Sequence, residues 1–223
     1  MFYEALPRAP VAFLKESNAK NFNAKPHVCA VSIFIIKEVK NVRTFIAIEL
    51  EEEVKDRLAE IQVETEKLCR KGNYTPKENF HLTLHFLGEV SEEDLDYLQD
   101  AMYETARRNR PFWFNIDKIG FFPRGNKAIM WAGIEKSSHL QRLFSTLEKS
   151  LEQQGFAREK KGLSPHITLG REVEPHRNFI DVQKNVKFEP MKVSVRSISL
   201  MESVRKGPKL VYVPLFRMDL KGK

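Results

Sequence analysis

The chain has 223 residues, of which 42% are hydrophobic and 30% are charged, a composition that predicts one or two compact domains with a sizeable core. Its two cysteines, Cys29 and Cys69, form no spacing pattern, which excludes a disulfide framework or a cysteine zinc site as the basis of the fold. We therefore expect a reducing, cytoplasmic location. The formal charge of +7 is compatible with an anionic partner such as RNA, but is also common in proteins that bind none.

Residues 1–41 differ from the rest of the chain, because their apolar residues follow neither a helix nor a strand period. The apolar run 28–36 is shorter than the roughly 20 residues that span a bilayer, and no cleavage site follows it, so we expect neither a membrane span nor an export signal. The stretch 37–40 can be encoded by a bacterial ribosome-binding sequence, with Val42 as the start. Two hypotheses stay open: a mis-assigned start, or a genuine extension of the chain.

The remaining sequence alternates between strand and helix patterns. A strand at 43–49 precedes a helix over 50–72, which Arg70, Lys71 and Gly72 close. A strand at 81–87 precedes a helix of about 18 residues that begins at Ser91. The later expected elements are strands at 112–122 and 127–135, a helix at 137–155, and strands at 165–171, 188–201 and 209–219.

Two of these strands carry the same polar pattern. In "HLTLHFLG", alternation places His81, Thr83 and His85 on one face of the strand, and "SPHITLGR" repeats the first two as His166 and Thr168. The two motifs are 85 residues apart, and each follows a strand–helix unit, with Phe45 matching Met130 and Ala47 matching Ala132. This duplication predicts two lobes related by a pseudo-two-fold axis, with one histidine and one threonine from each facing a cleft.

Two facing imidazoles form an acid–base couple near neutral pH, and two hydroxyls supply neutral donors to phosphate oxygens. The arrangement therefore favours phosphodiester cleavage. A metal site is less compatible, because no Asp, Glu or Cys accompanies either histidine at ligand spacing. We expect no metal and no other cofactor.

The paired motifs, with "RTFIAIEL", "GFFPRG" and "SPHITLGR", resemble the 2H phosphoesterase superfamily over residues 42–220. The similarity is greatest to its RNA 2′,3′-cyclic phosphodiesterase branch, also described as 2′-5′ RNA ligase-like. Residues 1–41 have no counterpart there, which favours the mis-assigned start and a single bilobal domain at 42–223. The resemblance implies an α+β fold with two antiparallel sheets and flanking helices around a central cleft.

The resemblance also implies metal-independent hydrolysis of an RNA 2′,3′-cyclic phosphate to a 2′-phosphate, with RNA ends as partner. It implies that His81 is the proton donor and His166 the proton acceptor, although the two motifs are equivalent in the sequence. Thr83 and Thr168 would bind the phosphate, and Arg171 matches a basic residue near it. We expect a monomer.

Other candidate residues have weaker support. Phe122 and Arg124, beside Phe121, lie at a turn that could present an aromatic platform to a terminal base, although aromatics beside proline are as often core. His85 has Gly170 as its repeat position, so we interpret it as a supporting or solvated residue. The histidines expected at the surface and the tryptophans expected in the strand core are His27, His139 and His176, and Trp113 and Trp131, respectively.

Three alternative functions stay open at this point. The same site could catalyse 2′-5′ ligation, because bond making and bond breaking share a transition state. A small cyclic nucleotide could be the substrate, or the cleft could bind RNA ends without turnover.

Overall fold

The computed structural model of the chain describes residues 41–160 and 162–222. Within these ranges it contains nine strands and four helices, and all strand pairings are antiparallel. The strands are β1 (Asn41–Glu49), β2 (Cys69–Tyr74), β3 (His81–Ser91), β4 (Phe112–Arg124), β5 (Lys127–Ile134), β6 (His166–Pro175), β7 (Met191–Val195), β8 (Ser197–Lys206) and β9 (Lys209–Asp219). The helices are α1 (Glu52–Glu66), α2 (Leu95–Arg107), α3 (Ser138–Gln153) and α4 (Phe179–Asn185).

The strands form two sheets. Sheet A has four strands in the order β3-β1-β8-β9, and sheet B has five in the order β2-β6-β5-β4-β7. The two motif strands, β3 and β6, lie in different sheets and contact each other. The α+β class with two antiparallel sheets and flanking helices is therefore confirmed.

The duplicated strand–helix–strand unit is visible in the pairing. β1 and β3 flank α1 and pair with each other, as β5 and β6 do around α3. The expected equivalence between the first strands is wrong by one residue, because Thr83 pairs with Ala47 whereas Thr168 pairs with Trp131. The offset is thus 84 residues for β1 and β5, and 85 for the motif strands.

One cluster of buried apolar side chains joins the helices to both sheets. The stripe expected on the 137–155 helix is buried as predicted, at Leu140, Leu143, Phe144, Leu147 and Leu151. None of the described helices is both long and apolar enough to cross a bilayer.

Several local predictions are wrong. The first helix ends at Glu66, and Arg70–Gly72 belong to β2, which crosses to sheet B and pairs with β6. The segment 188–201 forms parts of two strands rather than one, and α4 was not predicted. Trp113 is 62% exposed rather than core, because the buried face of β4 is formed by its neighbours Phe112 and Phe114.

The predicted extension lies outside the described residues except for Asn41, which begins β1 and pairs with Ser91. The domain boundary at residue 42 stays a prediction. His27 also lies outside the described residues, whereas His139 and His176 are exposed as expected.

Candidate active site

The two motif histidines are held in the same way. The Nδ1 atom of His81 lies 2.7 Å from the carbonyl oxygen of Asn79, and Nδ1 of His166 lies 2.7 Å from that of Ser164. Because a carbonyl oxygen only accepts, each Nδ1 carries a proton and donates it. The neutral tautomer of each ring therefore leaves the Nε2 lone pair for other partners, and a protonated ring would donate from Nε2. Asn79 and Ser164 are themselves 85 residues apart, so the duplication includes the groups that orient the rings.

Each histidine also meets an aromatic ring edge to face. Tyr212, on β9, lies 5.0 Å from His81 between ring centroids at an angle of 87°, and Phe122, on β4, lies 5.1 Å from His166 at 88°. His81 has a second aromatic neighbour, Phe45, at 4.8 Å. The His81 side of the cleft is therefore the more aromatic one.

The threonines follow their histidines on the same faces. The Oγ1 atom of Thr83 lies 3.0 Å from Nε2 of His81 and can donate to it. Thr168 is partly exposed and lies beside Trp131 in the sheet. A hydroxyl is thus present beside each imidazole along the strand, as the motif predicts.

Both motif strands contain a β-bulge just after the threonine. The pairing of β3 with β1 passes from Thr83 to His85, and that of β6 with β5 passes from Thr168 to Gly170, so that Leu84 has no partner in β1 and Leu169 has none in β5. Such an extra residue reverses the alternation of the side chains that follow it. The expectation that His85 shares a face with His81 and Thr83 is therefore wrong.

The side chains after the bulges are the ones that change face. His85 is buried, and Phe86, which follows it, is 44% exposed. The equivalent residues in β6 are Gly170 and Arg171, and Arg171 is exposed. Glu172 has a φ of 53°, which is uncommon for a residue other than glycine, so the backbone departs from a regular strand beside Arg171. The bulges thus place Phe86 and Arg171 at equivalent positions in the two lobes.

His85 is neither solvated nor part of the cleft. Its Nδ1 lies 2.5 Å from Oε1 of Glu148 on α3, and both side chains are almost fully buried. The other carboxylate oxygen of Glu148 accepts from the backbone N–H of Glu159 at 2.7 Å. The pair ties the strand that carries His81 to the helix that precedes His166.

Burial and positive charge both disfavour protonation of the two histidines. The pKa of His81 is lowered to about 4, chiefly by burial and to a smaller extent by the charges of His166, Arg171 and Lys55, while the Asn79 carbonyl opposes the shift. Burial also lowers the pKa of His166, again with a contribution from Arg171. Burial raises the pKa of Tyr212, although Arg171 and Arg43 oppose this effect. Arg171 therefore acts electrostatically on all three rings of the site.

The remaining predicted site residues, Phe122 and Arg124, differ in their surroundings. Phe122 contacts His166 and, at 5.1 Å, the ring of Trp131, whereas Arg124 is exposed at the β4–β5 turn. Arg124 lies near Glu172, whose pKa is lowered chiefly by Lys127 and to a smaller extent by Arg124.

Among the described residues, no three His, Cys, Asp or Glu side chains are grouped to hold a metal ion.

Three contributors to the site were not singled out from the sequence. Asn79 and Ser164 could have been found, because the 85-residue offset relates them as it relates the motifs. Tyr212 carries no such signal, since its position depends on the pairing of β9 with β8 in sheet A. Asn79 also fixes β9, because its side chain donates to the carbonyl of Leu210 at 2.7 Å and accepts from the N–H of Tyr212 at 3.3 Å.

Residues 48–131 and 133–212 each match the LigT-like phosphoesterase family, so each match contains one His-x-Thr motif. A Thermotoga maritima protein named RNA 2′,3′-cyclic phosphodiesterase is 32% identical over 185 residues, which are 81% of this chain and 97% of the relative. A Methanothermobacter thermautotrophicus protein of the same name is 29% identical over 183 residues, covering 79% and 99% of the two chains.

Solved structures show the same architecture. A crystal structure of a Thermus thermophilus protein superposes with a TM-score of 0.68 at 28% identity, covering 81% of this chain and 99% of the other. That of E. coli LigT complexed with 3′-AMP gives a TM-score of 0.65 at 25% identity, with the same coverage.

Proposed function

Because the chain belongs to the LigT-like phosphoesterase family, in the 2H phosphoesterase superfamily, we propose that it hydrolyses RNA 2′,3′-cyclic phosphate ends to 2′-phosphate ends. The proposed mechanism is acid–base catalysis by His81 and His166 without a metal ion. The observation that carries it is the matched anchoring of the two rings, whose Nδ1 atoms are occupied by carbonyl oxygens. Each Nε2 is then the atom that can give or take a proton. The relatives named RNA 2′,3′-cyclic phosphodiesterase support the substrate class.

In the proposed reaction, Nε2 of His166 accepts a proton from water as the water oxygen bonds to phosphorus. The bond from phosphorus to the 3′ oxygen breaks, and protonated His81 donates its Nε2 proton to that oxygen. The phosphate stays on the 2′ oxygen, and exchange of one proton with solvent at each histidine restores the starting state. Thr83, Thr168 and Arg171 would hold the non-bridging oxygens, because hydroxyl and guanidinium donors match the developing negative charge.

The surroundings of His81 in the free protein do not favour its role as proton donor. The pKa of His81 is lowered to about 4, chiefly by burial, which disfavours a protonated His81 in the free protein. A bound cyclic phosphate is an anion, however, and its charge offsets that of Arg171 and stabilises an imidazolium beside it. We assign the roles in the complex, where the donor is the histidine nearest to the nucleoside.

The test is hydrolysis of an RNA oligonucleotide that ends in a 2′,3′-cyclic phosphate, with mapping of the product phosphate. His81→Ala and His166→Ala should each lower kcat by roughly 10²–10⁴-fold. The double variant should lose little more, since both groups serve one step. His176→Ala is the matched control, because His176 is exposed and outside the site. Near-wild-type turnover in either motif variant contradicts the assignment.

Metal independence is tested separately. Activity should persist in excess chelator, since proton transfer by imidazole needs no Lewis acid. Loss of activity on chelation that zinc, magnesium or manganese restores would overturn the mechanism.

A further inference from the structure

Phe86 is a large apolar side chain that the structure exposes beside the cleft. Its backbone pairs with Phe45, whose ring contacts His81, so Phe86 lies on the same face of sheet A as the candidate active site. The guanidinium carbon of Arg43 lies 5.1 Å from the centre of the Phe86 ring. Arg43 is itself exposed, so its charge is accessible to an anion.

Packing does not explain this exposure. The bulge at Leu84 directs His85 into the core and Phe86 out of it, and 44% of the Phe86 side chain remains accessible. An exposed ring beside an exposed arginine provides the two contacts that single-stranded RNA uses, namely stacking on a base and attraction to the backbone phosphate.

The two lobes differ at this position. The residue after the equivalent bulge in β6 is Arg171, which acts on both histidines, whereas in β3 it is Phe86. The cleft therefore has a cationic flank suited to the phosphate and an aromatic flank, beside His81, suited to bases. This asymmetry favours binding of the nucleoside, with its 3′ oxygen, on the side of His81.

The spacing along β3 indicates which base is involved. Glu49 and Phe45, the β1 partners of His81 and Phe86, are four positions apart, which is roughly 13 Å of strand at 3.3 Å per residue. That length exceeds one nucleoside. Resting on the proposed function, we propose that Phe86 and Arg43 bind a nucleotide upstream of the terminal cyclic phosphate, so that RNA runs across sheet A and oligonucleotides are preferred over mononucleotides.

The experiment compares two substrates in parallel, a hexaribonucleotide ending in a 2′,3′-cyclic phosphate and a mononucleoside 2′,3′-cyclic phosphate. Phe86→Ala should lower kcat/KM for the hexamer about 10-fold, chiefly through KM, because one base loses its stacking partner. The mononucleotide rate should not change. Phe86→Trp should restore the hexamer rate, and Arg43→Gln should reduce the slope of log KM against log salt by about one for the hexamer alone.

Trp113→Ala is the matched control. Trp113 is 62% exposed with Nζ of Lys192 4.4 Å from its ring centre, so it offers the same chemistry on β4 of sheet B, away from His81. Equal effects of Phe86→Ala on both substrates, or none on either, overturn the inference while leaving the proposed function intact. Selective loss of the hexamer in Trp113→Ala alone would also overturn it, because RNA would then cross sheet B. Failure of the wild type on both substrates overturns the proposed function itself.

Discussion

The buried contact between His85 and Glu148 should be a large contributor to stability. Nδ1 of His85 lies 2.5 Å from Oε1 of Glu148, and the side chains are only 6% and 8% exposed. His85→Leu keeps the approximate volume but leaves the Glu148 carboxylate with its single bond to the Glu159 N–H. Glu148→Leu leaves a buried imidazole N–H and that backbone N–H without the carboxylate.

Removing one partner of a buried pair costs about 3–5 kcal/mol, because the remaining group is desolvated without compensation. Since Glu148 keeps one donor, we expect about 3 kcal/mol for His85→Leu, and a similar loss for Glu148→Leu. The double variant replaces both groups by apolar ones, so its cost should be close to that of one single variant rather than to the sum.

The assay is urea unfolding followed by circular dichroism, with the four proteins of the cycle measured at one pH. Glu104→Gln serves as the control, because Glu104 pairs with Arg107 and Arg108 at the surface and its loss should not move the midpoint measurably. Additive losses in the cycle would refute the reasoning. Such a result would mean that the two side chains stabilise the fold separately rather than through their contact.

Three further predictions use other features of the site. The lowered pKa of His81 means that the unfolded state binds more protons than the folded state between about pH 6.5 and 4, so stability should fall as pH is lowered through that window. The unfolding free energy of the wild type should therefore fall more steeply on acidification than that of His81→Gln, and a constant difference between the two would contradict this. Gly120→Ala should destabilise by about 1–3 kcal/mol, because its Cβ would lie 2.1 Å from the Trp131 ring, and Trp131→Ala in the same chain should remove most of that cost in a thermal melt. Asn79→Ala should lower the free energy of unfolding by about 1–2 kcal/mol and should lower kcat, because it releases the carbonyl of Leu210 on β9. Asn79→Asp keeps only the acceptor, so its stability and kcat should lie between those of the wild type and Asn79→Ala. Equal kcat values in all three proteins would count against a role of Asn79 in the site.

The sequence alone was sufficient to predict the features of the candidate site that the duplication repeats. Alternation placed His81 and Thr83 on one face, and the 85-residue offset identified His166 and Thr168 as their counterparts. These predictions succeed because side-chain alternation is set locally by strand geometry. The orienting carbonyls of Asn79 and Ser164 follow the same offset and were equally accessible to this reasoning.

The errors share a physical cause, which is tertiary pairing that a local pattern does not contain. His85 continued a perfect alternation, but the bulge at Leu84 turned it into the core. Residues 70–72 ended an apparent helix with basic residues and glycine, yet pairing with β6 made them a strand. Trp113 has the composition of a core residue, but the packing of sheet B buries the face of β4 that carries Phe112 and Phe114 and leaves Trp113 outside.

The two bulges explain how a duplicated fold acquires a direction. A symmetric pair of lobes would present identical flanks to the phosphate, and neither histidine would be distinguished as acid or base. Because the bulges preserve the backbone while the following residues differ, His85 and Phe86 stand in one lobe where Gly170 and Arg171 stand in the other. The buried His85 ties its strand to α3, and the exposed Phe86 and Arg171 give the cleft an apolar and a cationic side. In the proposed mechanism, the difference between acid and base would therefore come from the residues that flank the repeated motifs, since the motifs themselves are equivalent.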